Sequence, residues 1–193
     1  MGANDAQRST WLLDAANNGM DYRFFHGKGA TAVRDDIVLV NCYDEYYDLT
    51  SKTKEKLRWA LYQGYDYIFL CFPDTYARPE RLVTCGFDKC DYLGTTYCHP
   101  GGNTYCQGGC GYFLSKRAAE IIVNDPRSYP NEDCFCGDLL KQSGIIPVHC
   151  DNFRYAGPGP LKTNKVVSNH LSTQPGGYTV AAMLREHENW KRS

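Results

Sequence analysis

The stretch that decides the fold is Phe69-Leu-Cys-Phe-Pro-Asp74-Thr-Tyr76. An apolar run ends abruptly in a lone carboxylate, and polar residues follow. Open α/β folds bind ligands beyond the carboxyl ends of their strands. A buried strand that delivers an acid to that edge therefore marks a site. In this reading residues 66–71 are the strand and Asp74 is the acid it carries.

Working outward, Thr50 or Ser51 can cap a helix through Lys56, Leu57, Ala60 and Leu61 that stops at Gly64. Residues 22–26 and 37–40 read as short strands, punctuated by Gly27 and Gly29. Residues 5–18 read as a helix, with Trp11, Leu12 and Ala15 on one side and Gly19 as the stop. Residues 85–110, rich in Gly, Cys, Tyr and Thr, look like a long, partly irregular excursion. A strand over 112–114 follows, and Ser115 can cap a helix carrying Ala118, Ala119, Ile121 and Ile122. Residues 133–142 form another helix stopped by Gly144, then a short strand over 145–149 and a loop over 152–165 around Gly157-Pro-Gly-Pro160. The last helix spans 179–190, with Val180, Met183, Leu184 and His187 on one side. Strands alternating with helices predict an α/β layer fold, a single Rossmann-like domain over 1–193 with a mixed, mostly parallel central sheet.

The bulk composition narrows the partners. A net charge of −1 with no long charge runs argues against nucleic acid. No apolar stretch is long enough to span a bilayer, and no apolar leader follows Met1, so a soluble, cytoplasmic protein is expected. The fifteen tyrosines suit a cleft for sugars or nucleobases and equally an aromatic core. Of the ten cysteines, only Cys106 and Cys110 approach the tight spacing of a structural zinc site. Disulfides and free thiols both stay open on spacing alone, with free thiols favoured by the absence of a leader.

Five segments in order carry a family resemblance. They are Arg8-Ser-Thr-Trp11, Asp44-Glu-Tyr-Tyr-Asp-Leu-Thr-Ser-Lys-Thr53, the strand ending in Asp74, Gly108-Gly-Cys-Gly-Tyr-Phe-Leu-Ser115, and Glu132-Asp133 with Gly137. Asn169-His170-Leu171 adds a late histidine segment. Over roughly residues 6–172 the chain resembles the β-1,3-galactosyltransferase and Fringe superfamily of glycosyltransferases. Small members of this kind also resemble domains encoded by large DNA viruses.

The resemblance implies a GT-A fold and inverting transfer of a sugar from a UDP-sugar donor to a glycan hydroxyl. It implies Mn²⁺ or Mg²⁺ as cofactor, with Asp74 and His170 as metal ligands and Asp133 as general base. Arg8, Thr10, Lys52, Phe72 and Asp74 would face the nucleotide; Tyr105, Gly108, Gly109 and Glu132 would face the sugar or acceptor. The Golgi lumen applies only to an excised domain.

The residues suit that chemistry. A cation between the phosphates neutralises the leaving group, imidazole ligation favours Mn²⁺ over Mg²⁺, and a positioned carboxylate takes the acceptor's proton. Each also has a plainer reading. Asp74 is equally a turn acid, His170 a loop histidine, and Asp133 an acid favoured by a helix N-terminus. The chain departs from the family where Phe72-Pro73 replaces two of three acids. Three rivals remain: a catalytically silent nucleotide-sugar or glycan-binding module of the same fold, a glycosyltransferase acting on a modified DNA base, and a cysteine-rich zinc module.

Overall fold

A computed structural model describes residues 2–28, 35–154, 165–173 and 178–192. Helix α1 (Ala3–Arg8) opens the chain. The helix expected over 5–18 breaks after it, because Thr10 leaves helical backbone (φ −124°, ψ −114°). Its hydroxyl instead donates to the Ala6 carbonyl at 2.6 Å. Serine and threonine compete with the backbone in this way. Two short 3-10 turns continue to Gly19, whose φ of 69° ends the segment and puts Trp11 and Leu12 in the core.

Strand β1 (Phe24–His26) pairs in parallel with β2 (Ile37–Leu39) as a separate two-stranded sheet. Helix α2 (Leu49–Tyr62) begins one residue before the expected cap. Thr50 does not cap it, since its hydroxyl reaches across to the Tyr129 carbonyl at 2.6 Å. Gly64 (φ 84°) stops it as expected. Next come β3 (Tyr67–Leu70), β4 (Thr75–Ala77) and the short α3 (Pro79–Leu82).

The stretch 85–110 is partly irregular, as expected, with short strands set into it. It holds β5 (Tyr92–Gly94) and the hairpin of β6 (Thr96–Cys98) with β7 (Thr104–Cys106). Strand β8 (Tyr112–Ser115) leads into α4 (Lys116–Asn124), and the Ser115 hydroxyl accepts from the Ala118 N–H at 3.2 Å as the sequence predicts. Helix α5 (Glu132–Gln142), β9 (Val148–His149), β10 (Phe153–Arg154), β11 (Ser168–His170) and α6 (Val180–Lys191) complete the order. Residues 153–154 are thus strand rather than loop; Gly29 and Gly157-Pro-Gly-Pro160 lie outside the described residues.

The fold is α/β with mixed sheets, as expected, but among the described residues the main sheet is not mostly parallel. The main sheet runs β3-β8-β5-β9, with β8 antiparallel to both β3 and β5 and only β5–β9 parallel. A second sheet, β10-β11-β4, is parallel on one side of β11 and antiparallel on the other. Parallel neighbours need a long crossover, usually a helix. Between β3 and β8 the chain has β4, the four-residue α3, β5 and a hairpin, with no long crossover helix, and it returns in the opposite direction.

Alternation on β8 builds the layers. Phe113 joins one apolar cluster with Trp11, Tyr76, Phe153 and Met183. Tyr112 and Leu114 join another with Leu57, Ile122, Phe135 and Leu140. Side chains of a strand point alternately to the two faces, so both faces of this sheet are covered. Full burial of a residue such as Leu114 is worth about 1.5–3 kcal/mol.

On α6 the buried face is Ala182, Met183 and Glu186, while Leu184 turns outward. All ten cysteines are free thiols. Among the described residues no helix is long and apolar enough to cross a membrane.

Candidate functional site

The site starts where β3 ends. The chain turns through Phe72-Pro73-Asp74, and Thr75 closes the turn by accepting from the Phe72 N–H (3.1 Å) and donating its own N–H to the Phe72 carbonyl (3.1 Å). The Gln7 amide clamps it from α1, donating to the carbonyls of Phe72 (3.0 Å) and Thr75 (3.1 Å). Asp74 is thus held at the tip of a fixed turn.

The β4–β11 pairing then supplies its partner. His170 is in register with Thr75, so its ring falls beside Asp74, with Nε2 at 3.0 Å from Oδ2. The Ser172 hydroxyl donates to the same oxygen, and the Leu171 N–H donates to the Asp74 carbonyl at 2.9 Å. Burial acts to raise the Asp74 pKa, but the bonds from His170 and Ser172 outweigh it and hold the carboxyl below its ordinary range.

The Gly108-Gly109 turn is wedged against this pair. A Cβ on Gly109 would lie 2.4 Å from His170 Cε1, and one on Gly108 would lie 2.7 Å from Phe72 Cε2. Only glycine lets the backbone approach both rings. The Gly109 carbonyl also accepts from the Thr75 hydroxyl at 3.0 Å.

Asp133 stands on the other side of the turn, in the first turn of α5. Its Oδ2 accepts a long bond from the Gly108 N–H (3.4 Å) and its Oδ1 accepts from the Cys134 N–H (3.0 Å). Burial pushes its pKa up, and these N–H groups only partly pull it back. Glu132 is 5 % exposed and accepts from the Tyr112 hydroxyl. Burial raises its pKa too, against the pull of that hydroxyl. Tyr105 sits half-buried on β7, where its backbone packs on Gly137; a Cβ there would lie 2.5 Å from Tyr105 Cβ.

A cavity of about 600 Å³ opens between β1 and the carboxyl end of β3. Phe72, Pro73, Lys52 and Lys56 are among its walls. Lys52 is paired with Asp44, which also accepts from the Gly27 N–H at 2.8 Å. Burial would raise the Asp44 carboxyl, yet these two donors hold it low.

Arg8 and Thr10 sit elsewhere. The Arg8 guanidinium grips Asp36 with two bonds (2.7 and 2.9 Å) and lies 4.3 Å from the centre of the Phe24 ring. Arg8 thereby ties α1 to β1 and the β2 entry, and Thr10 is buried in α1's own turn. Sequence reasoning missed Gln7, Lys56 and Ser172. Ser172 is two residues past His170 and was the most accessible of these; nothing in the sequence marks Gln7.

Comparison with known proteins finds no matching family model and no matching curated protein.

Proposed function

We propose that the chain is an inverting GT-A glycosyltransferase that moves a sugar from a UDP-sugar to a glycan hydroxyl. The observation that carries the proposal is the Gly108-Gly109 turn. It holds Asp133 on one side and the Asp74–His170 pair on the other, and the Phe72 ring packed on Gly108 is a wall of a cavity of nucleotide size.

A carboxylate oxygen and an imidazole nitrogen form a donor set that fits Mn²⁺ better than Mg²⁺. Asp74 and His170 would hold such an ion, which when bound offsets charge on the departing diphosphate. Asp133 accepts the acceptor's proton at a carboxylate oxygen. The acceptor oxygen bonds to the anomeric carbon as that carbon's bond to phosphate oxygen breaks. Attack from the face opposite the leaving group inverts the centre. The raised pKa of Asp133 suits a base working near neutral pH.

The test is UDP release from UDP-sugars by purified protein with Mn²⁺. Activity is expected, and Asp133→Asn should lower it by roughly 10²–10⁴-fold. UDP binding without release from any donor would instead favour a silent binding module of the same fold.

A further inference from the structure

We propose that the Lys56 ammonium contacts the diphosphate of the nucleotide, so that the cavity retains affinity for a nucleoside diphosphate even when no metal ion is bound. The inference rests on the reading of the cavity as a nucleotide site.

Three lysine and arginine side chains are among the cavity walls: Arg23, Lys52 and Lys56. Lys52 is spent on Asp44. Arg23 lies over Trp59, 5.7 Å from the ring centre, and donates to the Tyr22 carbonyl. The Lys56 ammonium makes no hydrogen bond or ion pair with a described residue, and lies 5.5 Å from the centre of the Phe72 ring. Burial pushes its pKa down, and Glu132, the acid acting most on it, is bonded to Tyr112. A buried ammonium with no directly bonded acid among the described residues is stabilised by an arriving anion.

Its position selects the anion. The Phe72 ring lies 5.5 Å from the Lys56 ammonium, measured to its centre, and its Cε2 edge packs on Gly108. The ammonium and the turn that holds Asp133 and His170 therefore share one phenyl ring as a neighbour. A compact cation suits a phosphate as a point charge. An acid at position 72 would fall beside Lys56 and neutralise it. Phe72 leaves it available.

The test is calorimetry of UDP and uridine binding in EDTA with the wild type, Lys56→Met and Lys56→Arg. The wild type should bind UDP roughly tenfold or more tighter than uridine, Lys56→Met should bring the ratio near one with uridine affinity kept, and Lys56→Arg should restore much of it. Equal binding of UDP and uridine by the wild type, or an unchanged ratio in Lys56→Met, overturns the role of Lys56 and leaves the nucleotide reading intact. Should Lys56→Met fail to fold, the wild-type ratio at low and high salt decides. An ammonium–phosphate contact predicts a ratio that falls with salt, and a constant ratio overturns it. No binding of either compound, with or without Mn²⁺, overturns both.

Discussion

His170 Nε2 lies 3.0 Å from Asp74 Oδ2, although 96 residues separate them. The contact follows from strand register, since β11 runs antiparallel to β4 with His170 opposite Thr75. Two residues far apart in the sequence become a single oxygen–nitrogen pair. Gly109 closes over that pair, and this makes it testable without touching either partner.

Gly109→Ala places a methyl group 2.4 Å from the His170 ring. The ring must move, so the variant should lose about 1–3 kcal/mol of stability and most of the proposed Mn²⁺-dependent activity. Gly101→Ala meets only His99 Nδ1 at 3.6 Å and should fall within about 0.5 kcal/mol of wild type. Urea unfolding and Mn²⁺ titration of both variants check the contrast.

Asp133 must be ionised to act as a base, and burial raises its pKa. The rate should therefore fall with decreasing pH through a value above the ordinary carboxylate range and level off above it. Asp133→Asn should abolish this limb of the kcat/KM profile.

Glu132 also has a folded-state pKa raised by burial. Its contribution to stability is complete below the unfolded value of about 4.3 and is lost as pH rises through the folded value. Glu132→Gln cannot ionise and keeps an oxygen for the Tyr112 hydroxyl. The variant should gain on wild type as pH rises, and urea midpoints at about pH 4.5 and pH 8 measure the difference. A gain that shrinks with pH would contradict this.

The thiols should react in order of exposure. Cys98 is exposed, whereas Cys106, Cys110 and Cys136 are fully buried. Burial pushes the thiols of Cys71 and Cys110 up to about 12, so little thiolate exists there at neutral pH. A thiol reagent should modify Cys98 first, Cys98→Ser should remove the fast phase, and Cys106, Cys110 and Cys136 should react only in denaturant.

Much of the local structure was legible in the sequence. The stops at Gly19, Gly64 and Gly144 all adopt positive φ, the Ser115 cap forms, and the apolar run after Asp66 becomes β3. Each depends on interactions within a few residues, where steric limits and capping act directly. The sequence by itself determined these, the α/β class, and the identity of the acids and glycines that meet at the site. Tertiary structure alone decided the strand directions, the meeting of His170 with Asp74, the commitment of Arg8 to Asp36 and of Thr50 to Tyr129, and the exposure of Leu184. The physical reason is that loop closure costs grow only with the logarithm of loop length. Residues 96 apart can therefore pair almost as readily as near ones, and no local pattern records which will.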